Sequence, residues 1–459
     1  MAGQVREYVT RADRAGGGLA VDLGLYAFSA IFALATAVGS TLAPHRTWGW
    51  IAVYGYTAAA LAVLAQLIAA RRRTAAGGSA GFRGSADLRG WAGLRGWAGF
   101  RGSADLRGWA GLRGRAWLAA LTWVATALLP LAVEAMRGQA QEEVVVIERA
   151  GQRLLDTGTP YLGRAAVAAL PADERLLGYV PYQPGMALFG LPRALAGGAW
   201  WADARVWFAI ATIAVLATAV ATLQARAEGA ALVRAAQAVT VLPICALTVA
   251  TGGDDLPVLA LCLLALAFTA RGRLLGAGVA IGLAGALKLF AWPVALVLLV
   301  VAVVHRRPAR YALPAFGLPI AAVLPAVAVD TGAALENLVR FPLGHGLVAS
   351  PAASPFPGHL IAAALPGGRV IASAMLVAAG LAIGWWLLRR PPRDAGSAAL
   401  ACAYGLTAAI ALMPATRFGY LLYPLAYLAW RPALRASRLS ESEPPKASRP
   451  PAAWRTQGG

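Results

Sequence analysis

Apolar runs of about 18 residues or more recur from one end of this chain to the other, each long enough to cross a bilayer as a helix. That recurrence limits the fold more than any other feature. In hydrocarbon every backbone N–H and C=O must find its partner within the protein, which favours helices that satisfy their own hydrogen bonds. The expected fold class is therefore all-α, a polytopic transmembrane helical bundle. Composition agrees, since 59% of the residues are hydrophobic and 14% charged, against roughly 45–50% apolar in a soluble domain.

The formal charge of +20 first suggests nucleic acid as a partner. Placement argues otherwise: most arginines sit in short segments between apolar runs, the pattern of cytoplasmic loops. Membrane lipids are the expected surroundings and nucleic acid is not an expected partner. Cys245, Cys262 and Cys402 lie inside apolar runs at no metal-binding or disulfide spacing, and read as small buried hydrophobes. The N-terminal stretch "MAGQVREYVTRADRAGGG" is basic, and no small-residue cleavage site follows the first apolar run, so no cleaved signal peptide is expected.

Basic segments give the threading. Arg6, Arg11 and Arg14 hold the N-terminus inside. Crossings are expected at about 20–43 and 48–70, joined outside by "APHRT", then at about 116–136, 204–224, 230–250 and 255–270. The next run, 274–304, carries arginines at both ends, Arg271 and Arg273 before it and Arg306, Arg307 and Arg310 after it. Its roughly 31 residues make a helix of about 46 Å, too long for one crossing of a ~30 Å core. A hairpin of two short helices resolves the conflict, with its turn near "KLFAWP", where Pro293 can end or start a helix. Further crossings at about 311–330, 368–389, 396–413 and 419–432 complete about twelve helices in the plasma membrane, with both termini cytoplasmic. The organisation is thus an N-terminal segment with an extra hairpin (1–70), a cytoplasmic Gly/Arg/Trp linker (71–115), a transmembrane domain (116–432) and a polar, Pro-rich tail (433–459) expected to be disordered.

The linker holds a tandem repeat. Residues 81–98 recur at 99–116, and only Trp97 against Arg115 differs. Near-identity of this kind reads as recent duplication, and glycine in every hexad weakens a helix there. An Arg/Trp stripe adhering to anionic inner-leaflet lipid is the functional alternative.

Unusual polar residues converge on the outer side. The long first outer loop opens with "EEVVVIERAGQRLLDTG", which predicts a helix with Glu142 and Glu143 in its first turn, Gly158 as its stop, and an apolar stripe lying on the membrane surface. "PYQPGMALFGLPRALAG" is Pro-broken and reads as a re-entrant or interfacial segment. The threading brings Asp254, Asp255, Lys288, the loop holding Arg340 and His345, and Arg417 of "PATRFGY" to the same face. Charges of both signs at membrane depth mark a functional site by default. The set suits moving a sugar from a lipid phosphate: a carboxylate accepts the proton of an acceptor hydroxyl, and Lys and Arg meet the phosphate leaving group.

Plainer roles stay open. Asp254 and Asp255 in "GGDDLP" are also well placed to cap a helix. Lys288 can snorkel to the interface, and Arg417 can merely pair with a buried acid. His345 and His359 have no acid or Cys at ligand spacing, so no metal is expected there.

Four stretches carry a resemblance. They are "EEVVVIERAGQRLLDTGTPYL", "YVPYQPGMALFGLPRAL" with "WADARVWFAIAT", the block from "GGDDLPVLALCLL" through "GALKLFAWPVALVLL", and "PATRFGYLLYP". Together, over about 116–432, they resemble polytopic glycosyltransferases of the C-type superfamily. Within it they resemble family 87, the actinobacterial polyprenol-phosphate-mannose-dependent mannosyltransferases. The resemblance implies an inverting hexosyltransferase at the outer face. Its donor is a polyprenyl-phosphate sugar, its acceptor a glycolipid or cell-envelope molecule, and it has no cofactor or metal. The family's base is an aspartate at the start of the first outer loop, and the matching position here is Glu143, with Glu142 beside it. Lys288, Arg417 and Arg340 would hold the donor phosphate. Asp254, Asp255, Tyr182 and His345 would line the site. A transport-type or catalytically inactive protein of the same fold is the competing reading. A transporter should show two similar halves, and the helices show no such repeat.

Overall fold

The computed structural model describes residues 17–77 and 103–435, with side chains at 17–72 and 111–435. The N-terminal basic stretch up to residue 16, the first repeat copy and the tail beyond residue 435 lie outside the described residues. Those described are helical almost throughout; extended pairing is confined to one parallel bridge between Ala353 and Thr416.

Helix α1 (Leu19–Gly39) and α2 (Ala43–Gly77) form the N-terminal hairpin. The expected outer loop "APHRT" is instead the first turn of α2, where Pro44 costs no hydrogen bond. Helix α3 (Ser103–Trp123) begins inside the second repeat copy, earlier than the linker reading allowed. It runs through a π-helical turn (Val124–Leu128) into α4 (Leu129–Met136). Then come α5 (Glu142–Thr157), α6 (Ala204–Leu223), the bent pair α7 (Gly229–Thr240) and α8 (Pro243–Thr251), and α9 (Asp255–Ala270). Helices α10 (Leu274–Leu287), α11 (Ala291–Val304), α12 (Pro308–Val329), α13 (Gly368–Arg389), α14 (Ala395–Leu412) and α15 (Leu422–Arg435) follow.

Each expected crossing coincides with a helix, but not each helix is a full span. Among the described residues seven helices are long and apolar enough to cross a membrane, or eight if the pair α7–α8, bent by 45°, is one span. Helices α9, α10 and α11 are shorter, at 16, 14 and 14 residues. At 1.5 Å per residue they reach only about 21–24 Å. The hairpin reading of 274–304 is met: α10 stops at Leu287, α11 starts at Ala291, and Pro293 falls in the first turn of α11, where its missing N–H is harmless.

Helix α9 is the centre of the bundle. Every residue from Thr251 to Ala267 is buried, so α9 is apolar on all sides because protein surrounds it on all sides. In α13, by contrast, only 11% of the apolar window is buried, and its surface is left for lipid. Helix α10 lies so close to α12 that a Cβ on Gly278 would meet the Tyr311 carbonyl at 2.3 Å, and one on Gly282 the Pro314 carbonyl at 2.2 Å. Small residues let the two backbones touch, which is how helices associate where lipid removes the hydrophobic drive.

The N-terminal hairpin is bonded into the bundle at points where other helices break. Trp48 Nε1 donates to the Thr126 carbonyl in the π turn (2.7 Å), and the Tyr56 hydroxyl donates to the Val241 carbonyl at the α7–α8 bend (2.8 Å). Carbonyls freed by an irregular turn need a donor in a water-poor interior, and α2 supplies it. At the other end of α1, buried Asp22 accepts from Arg115 Nε (2.6 Å) and from Gln237 Nε2 (2.9 Å), and pairs with Arg234.

Helix α5 ends as predicted, with Gly158 in the left-handed region (φ 77°) and its N–H on the Leu154 carbonyl. The Val144 and Ile147 end of the apolar stripe expected on the membrane surface packs instead on the protein's own Pro184–Gly190 turn, whereas Leu155 at its other end is exposed. Val144, Ile147, Ala150 and Gly151 are buried, and Gly151 lies against Gly190.

Candidate active site

Where α8 gives way to α9, the chain turns through Gly252 and Gly253, the latter in the left-handed region (φ 86°). Asp254 and Asp255 follow. Neither caps α9. Asp254 stands at the N-cap position with already helical angles (φ −62°, ψ −27°), and its side chain makes no capping bond. Both carboxylates turn instead to Lys288, with Nζ 2.8 Å from Asp254 Oδ2 and 2.6 Å from Asp255 Oδ1. The physical reason is the ammonium. A buried charge without a partner costs several kcal/mol, about 3–5 when one partner of a pair is removed, more than one capping bond returns.

Lys288 sits at the tip of the α10–α11 hairpin, where the threading put it. Its backbone there is extended (φ −154°), which turns the side chain out of the helix line and toward α9. The remaining faces of the ammonium are closed by aromatic rings: Tyr182 at 5.3 Å, Tyr420 at 5.5 Å and Phe290 at 6.0 Å from their centroids. Tyr423 completes the group, its hydroxyl 2.8 Å from Asp255 Oδ1. Burial first, and Asp254 second, pushes the Tyr182 phenol well above its ordinary value, so it remains a neutral ring edge beside the acids. With two carboxylates on it and rings around it, Lys288 ties the hairpin tip to α9 and to the turn before α15.

The second half of the site faces this one across Gly252. Glu143, in the first turn of α5, pairs with Arg417. A Cβ on Gly252 would stand 2.8 Å from Glu143 Oε2 and 3.0 Å from Gln141 Oε1, so the acid packs against the chain two residues ahead of Asp254. The Gln141 N–H donates to the Thr251 carbonyl (3.3 Å), which fixes the start of α5 on the end of α8. The Gln141 side chain also contacts His45 of α2. Arg417 and Glu143 stay partly open, with 33% and 19% of their side-chain surfaces exposed. Glu142 is exposed.

Arg340 and His345 belong to a different cluster. The π-helical turn Glu336–Arg340 brings Arg340 Nη1 to 3.4 Å from Glu336 Oε2. Glu336 is fully buried and also takes Arg164 Nη1 (3.0 Å) and the Tyr179 hydroxyl (2.9 Å). The His345 N–H donates to the Arg340 carbonyl (2.7 Å), and the His345 carbonyl accepts from Arg164 (2.9 Å). Sequence reasoning missed Glu336 and Tyr179 as partners of this loop, and missed Gly252, Phe290, Tyr420 and Tyr423 in the main site. The i, i+3 spacing of Tyr420 and Tyr423 was the available signal, since it sets both rings on one face of the turn.

Among the described residues no group of three or more His, Cys, Asp or Glu side chains is arranged to hold a metal.

No curated protein matches the chain. Two solved structures of ArnT from Cupriavidus metallidurans are similar in fold. The form bound to undecaprenyl phosphate shows 16% identity and a TM-score of 0.44, covering 69% of this chain and 60% of that one. The apo form shows 15% identity and a TM-score of 0.44, covering 72% and 61%. This chain thus spans about three fifths of the length of the structures it matches. The profile of glycosyltransferase family 87 matches residues 179–416, more than half of the chain, from the Tyr182 loop through α9 and the Lys288 hairpin to Thr416 beside Arg417. By that match, which takes in Asp254, Asp255 and Lys288 and leaves Glu143 of α5 and Arg417 outside it, the chain belongs to glycosyltransferase family 87.

Proposed function

We propose that this protein transfers a hexose, mannose by the family resemblance, from a polyprenyl-phosphate donor to a lipid or cell-envelope acceptor at the outer face of the membrane. The observation that carries the proposal is the pair Glu143–Arg417, packed on Gly252 beside the Asp254/Asp255/Lys288 cluster. It sets a carboxylate next to a guanidinium at a partly open position, which is what base-assisted displacement of a phosphate requires.

In the proposed step the acceptor hydroxyl oxygen attacks the anomeric carbon and Glu143 takes its proton. The bond from that carbon to the phosphate oxygen breaks on the opposite side, its electron pair leaves with the polyprenyl monophosphate, and the configuration inverts. Charge moves in step. As Glu143 is protonated it stops neutralising Arg417, just as the leaving phosphate gains a second negative charge. Arg417 can therefore bind the departing group more strongly than the donor, and only such a difference between states lowers the barrier. Protein cations meet the phosphate, so the step is written without a metal or cofactor. Lys288, buried and paired with both Asp254 and Asp255, serves by fixing the hairpin tip on α9.

The glutamate at the base position supports one competing reading, a member that binds lipid-linked sugar without turning it over. Purified protein in lipid nanodiscs, supplied with radiolabelled polyprenol-phosphate mannose and membrane glycolipids, separates the two. The proposal expects labelled glycolipid from wild type and none from Glu143→Gln. Donor binding with no product from wild type overturns it.

A further inference from the structure

We propose that Gly252 is a positioning residue for Glu143, and that its missing side chain is what lets a glutamate occupy the place where the family resemblance implies an aspartate. The inference rests on Glu143 being the base.

The two neighbouring glycines are there for different reasons. Gly253 has a positive φ of 86°, and a Cβ on it would also meet the Phe208 ring at 3.0 Å. Backbone conformation requires glycine there. Gly252 has a φ of −129°, outside the left-handed region that bars a side chain. What bars one is the carboxylate: the Cβ would lie 2.8 Å from Glu143 Oε2. Ordinary contact begins at 3.4 Å, so the acid would have to retreat by roughly half an ångström.

The obstruction is the far end of a flexible side chain, held otherwise by Arg417. An added methyl group therefore costs the fold little and costs the carboxylate its place. A glutamate reaches about one methylene further than an aspartate from the same helix position. In this protein that extra reach is taken up by the space over Gly252. An aspartate would end short of it and leave the space empty.

The inference predicts that the effect of Gly252→Ala depends on the acid. With Glu143 present, Gly252→Ala should lower kcat by about tenfold or more, given that ~1 Å of misplacement can cost ~10²-fold. Donor KM and the melting temperature should change little. In a Glu143→Asp background, itself slower than wild type, the same alanine should cause no further loss, because the shorter acid does not meet the Cβ. An equal loss in both backgrounds would assign the effect to Gln141, whose Oε1 lies 3.0 Å from that Cβ, and would overturn the proposal. Full activity of Gly252→Ala with Glu143 present would also overturn it. Glu143→Gln is run alongside. Transfer that survives it removes the base reading and this inference together, whereas loss with Gln and indifference to Gly252→Ala removes the inference alone.

Discussion

Lys288 Nζ lies 2.6 Å from Asp255 Oδ1 and 2.8 Å from Asp254 Oδ2, so one buried ammonium answers two buried carboxylates at the tip of a membrane hairpin. The pairing makes Lys288 a structural tie before it is anything else. Lys288→Met keeps the length and strands both acids, and should destabilise the protein by about 3–5 kcal/mol. Adding Asp254→Asn and Asp255→Asn removes the stranded charges and should recover much of that loss. Thermal melting in detergent measures both. If Lys288→Met melts like wild type and loses only donor affinity, the lysine is a phosphate ligand and not a tie.

Glu142 and Glu143 are adjacent in sequence and differ in surroundings: the first is exposed, the second pairs with Arg417. Glu142→Gln should keep transfer within a few-fold of wild type, whereas Glu143→Gln should lower kcat by at least ~10²-fold, the ordinary contribution of a general base. Initial rates with saturating donor test this. The reverse ranking would mean that the other face of α5 carries the chemistry.

The hairpin fixes which side of the membrane each later loop faces. Arg273 and Arg306 lie just outside the two ends of α10–α11, and a three-residue turn joins those helices. Single cysteines at the two positions, with Cys245, Cys262 and Cys402 replaced, should both resist a membrane-impermeant maleimide in intact cells and both react after permeabilisation. Labelling of one alone in intact cells would make the segment a single crossing and separate Arg417 from Glu143.

The two copies of the repeat are not equivalent. Deleting 81–98 or 99–116 gives chains of equal length that differ at one position, Arg or Trp ahead of Trp117. The arginine is Arg115, buried on Asp22 at 2.6 Å, with a further bond to the Gly17 carbonyl at 3.3 Å. Deletion of 81–98 should leave stability and transfer unchanged. Deletion of 99–116 puts Trp97 at that place and should lower stability by up to ~3 kcal/mol, because Asp22 loses one of its cationic partners. Melting temperatures of the two deletions, compared directly, decide it.

The sequence by itself determined where the chain is helical and where it turns back. Those features follow from local physics: backbone in hydrocarbon must bond to itself, and arginines stay at the water. The two short helices of 274–304 and the stop at Gly158 were legible for that reason. Depth within the bundle was not legible. Helices α9 and α13 are both apolar on every side, yet one is enclosed by protein and the other faces lipid, because core and lipid present the same solvent to a side chain. Nor could the sequence choose partners. The motif "GGDDLP" permits a helix cap or an ion pair, and only the arrival of Lys288 from 33 residues further along the chain made it an ion pair. Arg340 and Arg417 looked alike in sequence, and the fold pairs the first with Glu336 and the second with Glu143. Charge pairing acts through space over a few ångströms, so it waits on how the helices are stacked, and the order of residues along the chain does not contain it.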